Sequence, residues 1–215
     1  IIEGIVDDVI VPAYDEVAVT TEQLAVETGK VCGEYRTEQL VAAQDAWRAA
    51  RSAWSSTEAF RFGPAKDLKS SSDIAYEVDL DKLHTNLDTP GTLPDTIDVE
   101  VVAGLGADVR GLHAVEDLLF SPEGRMYDDP RACAYAASAT QLIADGATEL
   151  RDAWTEGVDG EPPFADQMMS PGGDSMFADQ TEVLADLVNG SIAALTTIAD
   201  MYLGPASGAD GSEPI

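Results

Sequence analysis

Basic side chains are scarce in this sequence. Lysine and arginine together number 12 against 40 aspartates and glutamates, a net charge of −28 over 215 residues. The lysines are only Lys30, Lys66, Lys69 and Lys82. A surface of this sign repels nucleic acid and anionic lipid, so neither is an expected partner. Solubility, including solubility in a salty habitat, accounts for the acidity; acidity by itself makes no metal site. No run of about 18 uncharged apolar residues occurs, so no transmembrane segment is expected. Catalytic signatures are missing too: there is no HExxH, no GxSxG elbow and no glycine-rich phosphate loop. A second His-bearing carboxylate motif is also absent, which argues against a ferritin-like di-iron centre. Strand-like alternation of useful length does not appear.

Cysteine is nearly absent as well. Cys32 and Cys133 either pair or remain two buried thiols. A pair would close a loop of roughly 100 residues and stabilise the fold by about 4–5 kcal/mol on the chain-entropy account. It would also fit an oxidising, extracytoplasmic compartment, and pairing is the expectation. The chain does not begin with Met, which fits a mature or trimmed form whose leader has been removed.

What is present is helical periodicity. Ile1, Ile2, Ile5, Val6, Val9, Tyr14 and Val17 fall close to one face of a helix over residues 1–31, with a kink expected at Pro12. A second helix is predicted over 37–60 with Thr37 as cap, and a long irregular loop around 61–98 holds one short helix near 73–87. Further helices are predicted at 98–120, 130–156 and 176–203, with a loop before the last. The fold class is all-α, an up-and-down helical bundle. Residues 1–204 are expected to form the helical domain, the larger part of a two-bundle fold being one reading of it, and 205–215 a mobile tail.

Two inward carboxylates stand out. On a continuous helix over 98–120, Glu116 lies mid-arc with Leu105, Val109, Leu112, Leu119 and Phe120, and His113 lies at the edge of that arc. On the second helix, Leu40, Trp47 and Trp54 define a stripe that also takes in Glu58, with Arg51 close by. A buried carboxylate must be paired, hydrogen-bonded, protonated or metal-bound. His113 and Glu116, at i and i+3, are neighbours on a helix and can share a metal ion, with Glu58 as a third ligand. A buried His–Glu hydrogen-bond network balanced by Arg51 or Arg110 explains the same residues without metal, and both readings stay open. Gly104, Gly106 and Gly111 fit close packing or a local kink. His84 reads as an exposed histidine, and Met168, Met169 and Met176 read as packing.

The stretch "RGLHAVEDLLF" resembles the Gly-x-His-x-x-Glu motif of the imelysin family. "AWRAARSAWSSTEAFRFGPA" is similar to that family's Trp-rich helix and Phe-Gly-Pro break, and "VIVPAY" and "RACAYAASAT" fit its layout. The resemblance implies an all-helical extracytoplasmic protein, periplasmic or held at the outer membrane or cell surface as a lipoprotein, with a lipid anchor on a removed N-terminal segment. It implies a link to iron uptake, with iron or zinc bound by His113, Glu116 and Glu58, supported by Arg110, Gly111 and Arg51. A membrane-bound iron-transport component would be the partner. The peptidase activity in the family's naming is the distinct alternative. Chains of this family continue past the fifth helix, whereas this one stops at "GSEPI", which fits a trimmed or reduced second half.

Overall fold

The computed structural model describes residues 1–33, 36–121, 126, 129–158 and 160–203. Among the described residues there are helices and connecting segments but no strand. The expected tail at 205–215 lies outside the described residues.

The first rod carries helix α1 (Val11–Gly33), continued backwards by a π turn at Val6–Ile10 and an α-helical turn at Ile2–Ile5. The chain is not interrupted at Pro12. Pro12 has no N–H to give to the carbonyl four residues back, and the rod absorbs the loss by widening just before it: Val11 N–H reaches the Val6 carbonyl. This changes which residues face inward. Ile2, Val6, Ile10 and Tyr14 are buried at intervals of four, then Val17, Thr21, Leu24, Thr28 and Val31 follow at alternating three and four. An unbroken α-helical period instead selects Val9, which is 46% exposed. Ile1 is exposed as well.

Helix α2 (Thr37–Ser56) packs along α1, and its buried residues are Ala43, Ala46, Trp47, Ala50, Ala53 and Trp54. Small alanines let neighbouring helices approach closely, and Trp47 packs edge-on against Phe120 with ring centroids 5.3 Å apart. Its N-cap is Arg36 rather than Thr37, with no side-chain capping bond. The helix stops at Ser56, and a 3-10 turn follows at Glu58–Phe60, so Glu58 leaves the stripe set by Leu40, Trp47 and Trp54. The region 61–98 is more helical than expected. It contains short helical turns at Pro64–Asp67 and Ser70–Ile74 and then α3 (Leu80–Asp88), capped by Asp79.

The expected helix over 98–120 is two helices. Helix α4 (Val99–Ala103) ends at Gly104, a 3-10 turn spans Ala107–Val109, and α5 (Leu112–Phe120) starts afresh after Gly111. Gly111 has φ +83°, and a Cβ there would lie 2.9 Å from the Ile74 carbonyl oxygen. Glycine is required for both reasons. Arg110 ties this break to its surroundings, donating to the Ala103 carbonyl at 2.7 Å and to the Asp73 carboxylate at 2.6 Å. Tyr135 donates to the Val109 carbonyl.

Helix α6 (Pro130–Thr155) is capped by Asp129 and packs on the other side of α1, which is thus sandwiched between α2 and α6. Cys32 and Cys133 form a disulfide linking the end of α1 to the start of α6. The segment expected as a loop before the last helix contains α7 (Phe164–Met169), whose Phe164 and Met168 are buried. Phe164 joins Trp154, Tyr14, Phe62 and Phe177 in an aromatic cluster, with Tyr14 and Trp154 centroids 5.2 Å apart.

Helix α8 (Gln180–Thr197) begins at an Asp179 cap, not at residue 176. It docks through Val183, Leu187 and Ala194, with Gly190 against Ala59 and Phe62. Its opposite side carries Leu184, Val188, Ile192, Leu195 and Ile198, 42% to 66% exposed. The segment Gln180–Asp200, mean hydropathy 1.3, is long and apolar enough by length and composition alone to cross a membrane, although Glu182 and Asp186 interrupt its apolar run. Its apolar residues nonetheless divide between a docked side and an outward one.

Candidate functional site

The restart of the chain at Gly111 fixes how α5 sits. Leu112, Ala114, Val115, Leu118 and Leu119 are buried in the core. Trp47 donates to the Leu112 carbonyl at 2.7 Å, and Gln44 donates to the Leu119 carbonyl at 2.8 Å, so α2 grips both ends of α5. The opposite side of α5, with His113, Glu116, Asp117 and Phe120, lines a groove of about 730 Å³. Its other walls are Arg51 of α2, the stretch Ala75–Leu80 in part, and Ser121. Glu116 therefore does not point into the core, as an unbroken helix over 98–120 requires. It is half-buried at the groove wall. Leu105 and Val109, which set the expected phase, belong to the segment before the break.

His113 is fixed from outside its own helix. Its Nδ1 lies 2.8 Å from the Tyr76 carbonyl oxygen. A carbonyl only accepts, so Nδ1 carries the proton, and the neutral ring keeps its lone pair on Nε2. Among the described residues Nε2 has no hydrogen-bond partner, and Glu116 takes neither a hydrogen bond nor an ion pair. His113 and Glu116 are not bonded to each other. Orientation of an imidazole through its second nitrogen is how metal-ligating histidines are held.

Glu58 is not in this groove. It lies in an adjoining cavity of about 360 Å³ that shares Arg51, Ala75 and His113 with the first. Arg61 holds it at 2.6 Å while also donating to the Trp54 carbonyl at 2.8 Å and covering the Trp54 ring. Among the described residues no group of three or more His, Cys, Asp or Glu is close enough to hold a metal ion together. Helix α5 thus offers two unengaged donors, His113 Nε2 and Glu116; Glu77, exposed on another wall of the groove, is a further carboxylate with no partner among the described residues, and these groups form no closed ligand cage. That donor pair fits a borderline metal with open positions and does not fit a fully protein-coordinated structural ion.

Arg110 and Gly111 sit behind the site and shape the break. Arg51 lines both cavities; it donates to Ser55 Oγ at 2.7 Å, and among the described residues no carboxylate pairs with it. His84 is not simply exposed. Its Nε2 is 2.7 Å from Asp117 Oδ2, joining α3 to α5 beside the groove. Sequence reading missed this pair and the Tyr76 carbonyl. Asp117 adjoins Glu116 in sequence, but nothing local connects either histidine to a partner more than 30 residues away.

Comparison with known proteins agrees with this architecture. The sequence profile of the imelysin family matches residues 10–214. Iron-regulated protein A of Synechococcus elongatus is 28% identical over 206 residues, which cover 94% of this chain and 53% of that protein. Two crystal structures share the fold. One is a candidate iron-regulated protein A precursor from Parabacteroides distasonis, with TM-score 0.81 and 19% identity, covering 99% of this chain and 62% of that one. The other is an imelysin-like protein from Psychrobacter arcticum, with TM-score 0.71 and 22% identity, covering 92% and 59%. The chain spans about half the length of the curated relative it matches.

Proposed function

The chain belongs to the imelysin family, and on that premise we propose that it is an extracytoplasmic metal-binding protein that serves iron uptake. The metal is cargo, taken up by His113 Nε2 and Glu116 at the groove wall. The observation that carries this reading is the Tyr76 carbonyl on His113 Nδ1, which among the described residues leaves Nε2 unengaged on the same groove wall as the unpaired Glu116 carboxylate. A site that must release its metal needs few protein donors, and this one has two. The name of the Synechococcus relative supports iron as the cargo. The Cys32–Cys133 disulfide supports an oxidising compartment. A membrane-bound transport component would receive the metal, and attachment through a lipid at the protein's own N-terminal side would keep it near that component. Glu58, neutralised by Arg61, is an auxiliary donor at most.

The test is a set of thermal melts of metal-stripped protein with Fe²⁺, Fe³⁺ or Zn²⁺. Binding to the native state raises Tm with metal concentration. The wild type should show the rise, and His113→Ala and Glu116→Gln should each lose it while keeping their metal-free Tm within a few degrees. No rise in the wild type, or an equal rise in both variants, rejects the reading. The alternative, a metallopeptidase, predicts chelator-sensitive cleavage of an unfolded protein substrate by the wild type.

A further inference from the structure

The groove contains one feature that a bare metal ion does not need. Arg51 lines it together with His113 and Glu116. Basic residues are outnumbered 12 to 40 in this chain, and the others near the site are held by carboxylates: Arg61 by Glu58, Arg110 by Asp73 and Lys82 by Asp108. Arg51 has only the Ser55 hydroxyl among the described residues. A guanidinium has five N–H donors, so most of its fork is uncommitted. Facing a bare cation, that charge is repulsive. Facing a carboxylate, it is the side chain best matched in shape and charge.

Size and coordination point the same way. About 730 Å³ is the volume of a small-molecule pocket, far more than an ion requires. Ala75, Val78, Leu80 and Phe120 give the groove apolar walls suited to the carbon skeleton of an organic ligand. Two protein donors leave even a tetrahedral ion with open positions. Water can fill them, and so can donor atoms of a small ligand carried in with the metal.

We propose that the groove binds a metal ion already complexed by a small polycarboxylate, with His113 Nε2 and Glu116 reaching the metal and Arg51 clamping a carboxylate of the chelator. This rests on the metal-binding reading above and names the form of the cargo. The net charge of −28 opposes the approach of an anionic complex at long range, but that repulsion is screened beyond about 8 Å at physiological ionic strength. Added salt should therefore strengthen capture of the complex and weaken capture of a bare cation.

The experiment is calorimetric titration of the metal-stripped protein with iron(III)–citrate, with Zn²⁺ alone and with citrate alone, in low and moderate salt. The variants are Arg51→Met, Arg51→Lys and His113→Ala. Arg51 is partly exposed on α2, and circular dichroism checks that Arg51→Met keeps its helices. The expected result is a loss of roughly ten- to a hundredfold in affinity for iron(III)–citrate in Arg51→Met, on the scale of one charge-assisted bidentate contact. Arg51→Lys should recover part of it, and Zn²⁺ binding should be unchanged or tighter in both. His113→Ala should weaken both ligands. Unchanged iron(III)–citrate affinity in Arg51→Met, with His113→Ala still weakened, overturns this inference and leaves the metal site standing. Binding of citrate alone that depends on Arg51 but not on His113 overturns it in favour of a plain anion site. No effect of His113→Ala on Zn²⁺ or on the complex removes the metal reading itself.

Discussion

His84 Nε2 and Asp117 Oδ2 are 2.7 Å apart, and this contact pins α3 against the helix that carries His113 and Glu116. The Asp117 side chain is only 9% exposed and that of His84 30%, so solvent screens the pair only in part. The contact engages Asp117 with a histidine, whereas Glu116, its neighbour in sequence, has no partner among the described residues.

His84→Ala should therefore loosen α3 more than the rest of the molecule. Amide hydrogen exchange over Leu80–Asp88 should quicken by about fivefold, the equivalent of roughly 1 kcal/mol for one hydrogen bond. Exchange in α1 and α6 should stay as in the wild type. Equal acceleration throughout would mean that the pair supports global stability instead.

Gly111→Ala should damage stability and site together. The backbone there has φ +83° and ψ −175°, a region essentially closed to other residues, and the new Cβ meets the Ile74 carbonyl. A loss of about 1–3 kcal/mol is expected in urea unfolding. Because Ile74 and Tyr76 lie on the same strand of chain, the His113–Tyr76 bond should shift as well, lowering metal affinity in the same variant. Gly104→Ala is the comparison: its Cβ would meet only the Glu100 and Val101 carbonyls at 3.5 Å, and the metal site should survive.

Reduction of the disulfide should destabilise the fold without dismantling the groove. Cys32 and Cys133 are separated by 101 residues, and removal of such a link is expected to cost about 2–5 kcal/mol. The double variant Cys32→Ala, Cys133→Ala should melt lower than the oxidised wild type. Metal affinity measured well below its Tm should change less than twofold, since neither cysteine lines the groove.

Among the described residues, Tyr14 and Tyr135 should resist alkaline titration. Burial pushes the Tyr14 and Tyr135 phenols well above the ordinary value of 10.0. The neutral phenol is the favoured form in the folded state, so its contribution is complete below pH 10 and is lost as pH rises through the elevated folded value. Absorbance of phenolate should therefore show these two appearing only with alkaline unfolding. Tyr14 also donates to the Phe60 carbonyl at 2.7 Å. Tyr14→Phe removes that bond, while the Phe60 carbonyl keeps the Phe62 N–H at 2.8 Å, and should lower stability by about 1 kcal/mol at neutral pH while removing one of the late-titrating groups.

The sequence alone determined the all-helical class, the approximate course of the long helices and the pairing of His113 with Glu116 on one helix face. Each of these depends on spacing within a few turns, and helical geometry converts such spacing directly into direction. The Trp-rich helix was legible for the same reason, since Trp47 and Trp54 repeat at seven. Whether His113 and Glu116 look into the core or onto a groove was decided by tertiary structure. Gly111 restarts the helix where Ile74 approaches, and the phase inherited from Leu105 and Val109 is lost. The tautomer of His113 is set by a carbonyl 37 residues away, Glu58 is drawn off by Arg61 beyond a helix end, and His84 finds Asp117 across 33 residues. A periodic pattern fixes which way a side chain leaves its own helix; only the packing of distant segments fixes what it meets there.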